Sequence, residues 1–291
     1  MPSAQVVSLR DKLLLLDCGE GTQLQWRYTG LNWQKLAHIF ITHAHGDHLF
    51  GLPGLLSTMA LLGRTQPLFI HGPETIRPFL DCVLQQFCAT FDYEVHYLPV
   101  DTTRHAIVHE DRSMQVWSLP LQHRVPCCGY LVREQPGQPH IRRDRIDFYN
   151  VPTWAIGRIK MGHPWHTPDG RCIPATELTT PPDPVRAYAY CSDTLFTPAL
   201  ADMVGSVDVL YHEATYASTE ADRAAAYGHS TAAQAAEMAR RAGAGKLIIG
   251  HFSSRYDDEQ ILLQEAQAIF PDTILAEEHM QVQVLNGNSS K

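Results

Sequence analysis

Four residues able to bind a metal crowd into six positions: His43, His45, Asp47 and His48, in the run Thr42-His-Ala-His-Gly-Asp-His48. One tetrahedral ion takes four ligands in all, and so dense a run is better shared between two cations, His43 with His45 and Asp47 with His48. Gly46, with no side chain, lets the backbone turn sharply between the pairs. Each cation then needs a further protein ligand and a bridge, and His123, Asp193 and His251 are of the required types. Asp193 is the natural bridge, because the two oxygens of one carboxylate reach ions ~3.5–4 Å apart. Imidazole and carboxylate donors without thiolate favour Zn2+, with Mn2+ suited where oxygen ligands dominate. Two cations held this way support hydrolysis, by acidifying water and stabilising charge on the reacting group.

Bringing these residues together requires a scaffold that ends several strands at one place. Ala37–Thr42 runs into His43, Met114–Gln122 into His123, Tyr188–Ser192 into Asp193, Val207–Tyr211 into His212 and Lys246–Gly250 into His251. Each is a short apolar run with β-branched or aromatic content, the pattern of a buried strand. Ligands in α/β folds gather beyond the carboxyl ends of strands, so five such endings predict one shared site. Pro53–Leu62, Ile76–Phe87, Ser230–Gly243 and Asp258–Ala268 read as helices. The clearest is Ser230–Gly243, with Ser230 or Thr231 as its cap, basic residues in its last turn and a stop at Gly243. Strands alternating with helices predict a layered α/β domain. Residues 133–184 break the rhythm, being rich in Pro, Gly, His and Arg with little periodicity, and read as a long functional excursion. Residues 133–171 carry seven basic and four acidic side chains, in a chain whose net charge is −8, which marks a local place for a polyanion.

The 291 residues suffice for a substantial core, and 44% hydrophobic with 19% charged residues excludes a disordered tail protein. No apolar run approaches the ~18 residues of a membrane span, and the start lacks the pattern of a secretory signal. The expected setting is soluble and cytoplasmic. Seven cysteines without a Cys-x-x-Cys pair fit reduced, buried thiols rather than a disulfide framework. The acidic balance excludes a generally basic nucleic-acid coat. Among the 16 histidines, His38, His71, His96, His105, His109, His140 and His279 stand without company in the sequence and are read as structural. His163 and His166, in the basic stretch, are candidate substrate contacts.

The His-x-His-x-Asp-His run resembles that of the metallo-β-lactamase fold, an α/β four-layer αβ/βα sandwich with a two-metal site along one edge. Further motifs narrow the likeness: Asp17-Cys-Gly-Glu-Gly-Thr-Gln23, the run from His43 to Leu56, Tyr211-His-Glu-Ala-Thr-Tyr216, Gly228-His-Ser-Thr231 and His251-Phe-Ser-Ser-Arg-Tyr256. Together they resemble ribonuclease Z in its short form, the endonuclease that trims the 3′ trailer from precursor tRNA. The resemblance spans nearly the whole chain and implies a single domain over residues 1–291, with 133–184 as an inserted flexible arm that grips tRNA.

The same resemblance implies two Zn2+ per chain, with His43, His45 and His123 on one, Asp47, His48 and His251 on the other, and Asp193 bridging. It gives Asp47 the orientation of the attacking water, and His229, supported by Glu213, the protonation of the leaving 3′ oxygen. Arg142, Arg143, Arg145, Arg158, Lys160 and Arg255 are the candidate contacts to precursor tRNA, and a homodimer is implied. Two departures stand out. Trp154-Ala155 lies where the family's arm commonly has Gly-Pro. Family chains also open with a strand and loop before the segment matching Pro2–Asp17, so roughly twenty residues are expected to be missing, which would leave a sheet edge unpaired. Two alternatives stay open: another hydrolase of this fold, such as a small phosphodiesterase or a glyoxalase II-type thioesterase, and a catalytically impaired RNA-binding relative.

Overall fold

The structure, a computed structural model, describes residues 2–88 and 90–284. The first half alternates β1 (Gln5–Leu9), β2 (Lys12–Leu16), α1 (Thr22–Thr29), β3 (Leu36–Phe40), α2 (Gly46–Leu49), α3 (Leu52–Leu61), β4 (Leu68–Gly72), α4 (Arg77–Phe87) and β5 (Val95–Pro99). These strands form one sheet in the order β1-β2-β3-β4-β5, antiparallel between β1 and β2 and parallel thereafter. The four consecutive leucines of β2 explain why: side chains of a strand alternate between faces, so an unbroken apolar run needs cover on both. Leu13 and Leu15 join Leu52 and Leu55 of α3 and Leu80 of α4 on one face. Leu14 and Leu16 face the other way, into a layer shared with Phe40, Tyr130, Tyr190 and Ile248.

That second layer is the underside of another sheet. Its strands begin with β6 (Ala106–Glu110), β7 (Met114–Leu121) and β8 (Cys127–Glu134). Residues 134–185 then form a separate compact unit. It comprises β9 (His140–Ile141), α5 (Arg143–Phe148), α6 (Thr153–Lys160), β10 (Trp165–His166), β11 (Cys172–Ile173), α7 (Ala175–Leu178) and β12 (Thr179–Thr180). The unit has its own small core of Ile146, Val151, Ala155, Ile159, Ile173 and Leu178. An irregular excursion was the expectation here; helices of four to eight residues are too short to show a period.

The chain returns through β13 (Ala187–Cys191), α8 (Leu200–Val204), β14 (Val209–Glu213), α9 (Ala221–Tyr227), α10 (Ala232–Ala242), β15 (Lys246–Gly250), α11 (Gln260–Gln267) and β16 (Thr273–Leu275). The second sheet runs β16-β15-β14-β13-β8-β7-β6. Leu247 and Ile249 of β15 pack under Ala235, Met238 and Ala239 of α10 and Leu262 of α11, while Ile248 faces the first sheet. Helices, sheet, sheet and helices are therefore stacked in the four layers expected. Helix α10 starts at a capping box, in which the Thr231 side chain accepts from the Gln234 amide and the Gln234 side chain accepts from the Thr231 amide. It ends at Gly243 with φ of 69°.

Candidate metal centre

The expected ligands leave the carboxyl ends of β3, β7, β13 and β15, and the fold brings all seven together. Asp193 stands at the middle. Its Oδ2 lies 3.6 Å from His43 Nε2 and 3.8 Å from His123 Nε2, and its Oδ1 lies 3.5 Å from His48 Nε2 and 3.3 Å from His251 Nε2. His45 Nδ1 completes the first group, 3.0 Å from His43 Nε2 and 3.4 Å from His123 Nε2. Asp47 Oδ2 completes the second, 3.5 Å from His48 Nε2 and 3.4 Å from His251 Nε2. Donors around one tetrahedral cation at ~2.0–2.2 Å stand ~3.3 Å apart, close to these separations. The two groups face opposite oxygens of one carboxylate.

Local structure sets this division. His45 is the extended N-cap residue of α2, so Asp47 and His48 lie in the helix while His43 and His45 remain in the loop before it. Gly46, where the backbone was expected to turn sharply, opens the helix, and a Cβ there would meet the Phe50 ring at 2.5 Å. Two non-glycine residues of the site do take left-handed backbone, Asp17 (φ 57°) just after β2 and His251 (φ 60°) just after β15. Such residues cost ~1–3 kcal/mol and persist where surrounding contacts fix them.

Four of the five ligand imidazoles are held from behind. His48 Nδ1 is 2.7 Å from Asp17 Oδ2, His123 Nδ1 is 2.7 Å from the Gly228 carbonyl, His251 Nδ1 is 3.0 Å from Thr215 Oγ1 and His43 Nδ1 is 2.9 Å from Thr42 Oγ1. Partners of this kind fix the ring and its tautomer, leaving the other nitrogen free to bind. Asp17 also accepts from the Thr42 amide (2.8 Å) and from Tyr190 Oη (2.8 Å), tying both sheets to the site. Ser3 adds a brace, its amide donating to the Asp47 carbonyl at 2.8 Å.

The site draws positive charge. A hydrogen bond from His251 and the nearby His48 imidazole hold the Asp47 carboxyl far below the usual range. Burial works to raise Asp193, but His251, His48 and His43 outweigh it and keep it ionised. Burial likewise opposes a proton on His48, yet Asp17 raises it well above the ordinary histidine value; Asp193 raises half-buried His251 as well. Burial prevails at His43, pushing it down to about 2. One atom tests the fit of a cation directly: His48 Nε2 is buried, faces Asp47 and Asp193, and has no hydrogen-bond partner among the described residues. Buried polar atoms are rarely left so, and a divalent ion bound by imidazole and carboxylate would satisfy it.

Beside the ligands lies a buried carboxylate. Glu213 Oε1 is 2.9 Å from His229 Nδ1 and accepts from the Thr194 and Ser230 amides, while Oε2 accepts from Thr215. The His229 ring sits 5.1 Å from that of His123 and 5.5 Å from that of His251. The expected fifth strand ending is corrected here. β14 continues through His212 to Glu213, and His212 pairs in register with Cys191 and Ile249, residues of the layer under α10. Alternation turns the next side chain, Glu213, into the site instead. Arg255 pairs with Glu220 at 2.9 Å and lies over the Tyr216 ring. Arg142, Arg143, Arg145, Arg158 and Lys160 all lie in the 134–185 unit, where Arg142 pairs with Asp144 at 3.1 Å. Sequence reasoning did not assign a role to Asp17 or Thr215, although both stand inside motifs it singled out.

The chain is similar to several known proteins. A family model described as Anti-Pycsar protein Apyc1 matches residues 3–124. A protein named Ribonuclease Z from Bacteroides fragilis is 53% identical over 278 residues, covering 96% of this chain and 91% of its own. Another of that name from Porphyromonas gingivalis is 52% identical, covering 97% and 92%. Among solved structures, human tRNase Z, short form, matches with a TM-score of 0.66 at 26% identity, over 98% of this chain and 93% of its own. A metallo-β-lactamase fold protein from Bacillus subtilis matches with a TM-score of 0.63 at 18% identity, over 95% and 90%, and shows the fold alone.

Proposed function

The chain belongs to the ribonuclease Z family, and from that we propose that it is an endoribonuclease removing the 3′ trailer from precursor tRNA, leaving a tRNA 3′-OH and a trailer 5′-phosphate. The observation that carries the reading is the Glu213–His229 pair beside two ligand groups split across Asp193. His43, His45 and His123 would hold one Zn2+ and Asp47, His48 and His251 the other, with Asp193 between them. Bound there, the cations supply Lewis acidity to the phosphoryl oxygens and acidify water.

The rest falls to side chains of the protein. Asp47, ionised and with its side chain half exposed, accepts a hydrogen bond from the attacking water and aims it at phosphorus. His229 donates a proton to the departing 3′ oxygen, a poor leaving group without one. Glu213 orients that imidazole from Nδ1 and stabilises it while it carries charge. Arg142, Arg143, Arg145, Arg158 and Lys160 supply phosphate contacts to tRNA from the arm unit, and Arg255 supplies one beside the site. The proposal extends to a homodimer in the cytoplasm; no helix among the described residues is long and apolar enough to cross a membrane.

The test is to incubate the zinc-loaded chain with a precursor tRNA carrying a 3′ trailer and to map the new ends. A single cut just after the discriminator nucleotide is expected. An intact trailer, with bis(p-nitrophenyl) phosphate still hydrolysed, would move the assignment to a small phosphodiesterase.

A further inference from the structure

Three of the histidines without company in the sequence meet in space. His38 of β3 and His71 of β4 share one face of the first sheet, since His38 pairs in register with Phe69 and His71 with Phe40, which points into the layer between the sheets. His109 of β6 comes from the edge of the second sheet, in register with Val116 of that same layer. The His38 and His109 ring centroids are 3.9 Å apart, and His38 Nδ1 lies 3.0 Å from His71 Nε2. One nitrogen from each ring can be chosen so that all three lie within 4.8 Å of one another. None of these residues belongs to the centre described above.

We propose that His38, His71 and His109 form an accessory metal site, taking Zn2+ or another imidazole-seeking first-row divalent ion, that clamps the two sheets together. The donors are three imidazoles with no thiolate, the set that suits Zn2+, Cu2+ and Ni2+. The His38–His71 pair already has the ~3.3 Å separation of two nitrogens on one zinc. His109 must close by up to about 1.5 Å to reach that geometry, and its strand has the means. The β6–β7 register shifts between Ile107 and His109, a bulge of the kind that re-aims a side chain at a sheet edge.

Two further observations point to a ligand. His71 is 1% exposed with its Nε2 turned to His38, and His109 Nε2 is buried without a hydrogen-bond partner among the described residues, a nitrogen that a cation would satisfy. Asp111 Oδ2 lies 3.5 Å from that same His109 Nε2 and is itself held by Lys12, placing negative charge beside a cation held at that nitrogen. Burial keeps the rings in the neutral form that binds metal, with His38 and His71 pushed down to about 3. Three protein ligands leave one position of a tetrahedral ion for water or a small anion. Because β3 and β4 lie in one sheet and β6 at the edge of the other, the ion would join segments 33 and 38 residues apart across the sandwich.

The test compares zinc-loaded, desalted wild type with His109→Gln by counting metal per chain. The variant is expected to hold one ion fewer while hydrolysing bis(p-nitrophenyl) phosphate at the wild-type rate. Equal metal content would overturn the proposal; loss of an ion together with the hydrolysis would also overturn it, by placing that ion in the first centre. The difference between the two proteins is read whatever total the first centre holds, so the two readings fail separately. A measurement on the unaltered protein guards against a variant that fails to fold. One equivalent of Cu2+ added to zinc-loaded wild type should give an electron paramagnetic resonance signal with coupling to three imidazole nitrogens while bis(p-nitrophenyl) phosphate hydrolysis and the zinc of the first centre are unchanged; the signal with loss of that hydrolysis would place the copper in the first centre and overturn the proposal. A signal of aqueous or oxygen-bound copper would refute the site.

Discussion

Asp17→Asn isolates the charge behind His48 without changing volume. The Asp17 carboxylate receives four donors: the Thr42 amide at 2.8 Å, Thr42 Oγ1 at 3.0 Å, Tyr190 Oη at 2.8 Å and His48 Nδ1 at 2.7 Å. Asparagine keeps one acceptor oxygen, which stays with Thr42, and turns an NH2 toward Tyr190 and His48. His48 Nδ1 must then accept, so the ring proton moves to Nε2, the atom aimed at Asp47 and Asp193. A ligand locked in the wrong tautomer lowers metal affinity by about 10–100-fold, or roughly 1.4–2.7 kcal/mol. Competition against a chelator of known zinc affinity reads the loss directly, and activity should return at high zinc. Thermal unfolding in chelator separates this from a loss of fold. Zinc affinity within twofold of wild type, with activity nonetheless lost, would refute the tautomer argument.

His229→Ala should slow trailer removal by about 100-fold or more, the usual worth of a general acid, with metal content unchanged; an ion lost in this variant would make His229 a ligand. Gly228→Ala places a Cβ 2.9 Å from His123 Nδ1 at a φ of 78°, so a loss of ~1–2 kcal/mol in unfolding free energy and weaker zinc binding are expected from denaturant melts and chelator competition. His48 and His251 are raised above the ordinary value in the metal-free chain, and a bound cation must displace their protons. Calorimetry at pH 7 in two buffers of different ionisation enthalpy should therefore show proton release on zinc binding. The stability these histidines lend the metal-free fold is full below ~6.5 and is lost as pH rises through their raised values, so its melting temperature should fall over that range. Arg158→Ala with Lys160→Ala should weaken precursor tRNA binding and lower its salt slope by about 1 for each phosphate no longer neutralised, while small-phosphodiester hydrolysis holds.

Much of the site is local in the sequence because metal binding at a strand end demands a dense run. His43, His45, Asp47 and His48 sit within six positions, and β3, β13 and β15 announce themselves as apolar runs because they are covered on both faces. His251 is legible for the same reason, standing just past a strand, and His229 stands in a motif just before a helix. Tertiary structure decided what those residues share. The assignment of one Asp193 oxygen to each ligand group needs β3 and β13, from different sheets, to end at one place. Strand alternation, through the two residues by which β14 outruns its apolar stretch, decided that Glu213 and not His212 turns inward. Residues 134–185 hid a small core because helices of one or two turns carry no measurable period. His38, His71 and His109 show the limit most sharply: 71 residues separate His38 from His109, whose ring centroids lie 3.9 Å apart. A sequence records which side chains lie near one another along a strand, whereas contact between two sheets depends on register and packing, which are settled only when the layers close.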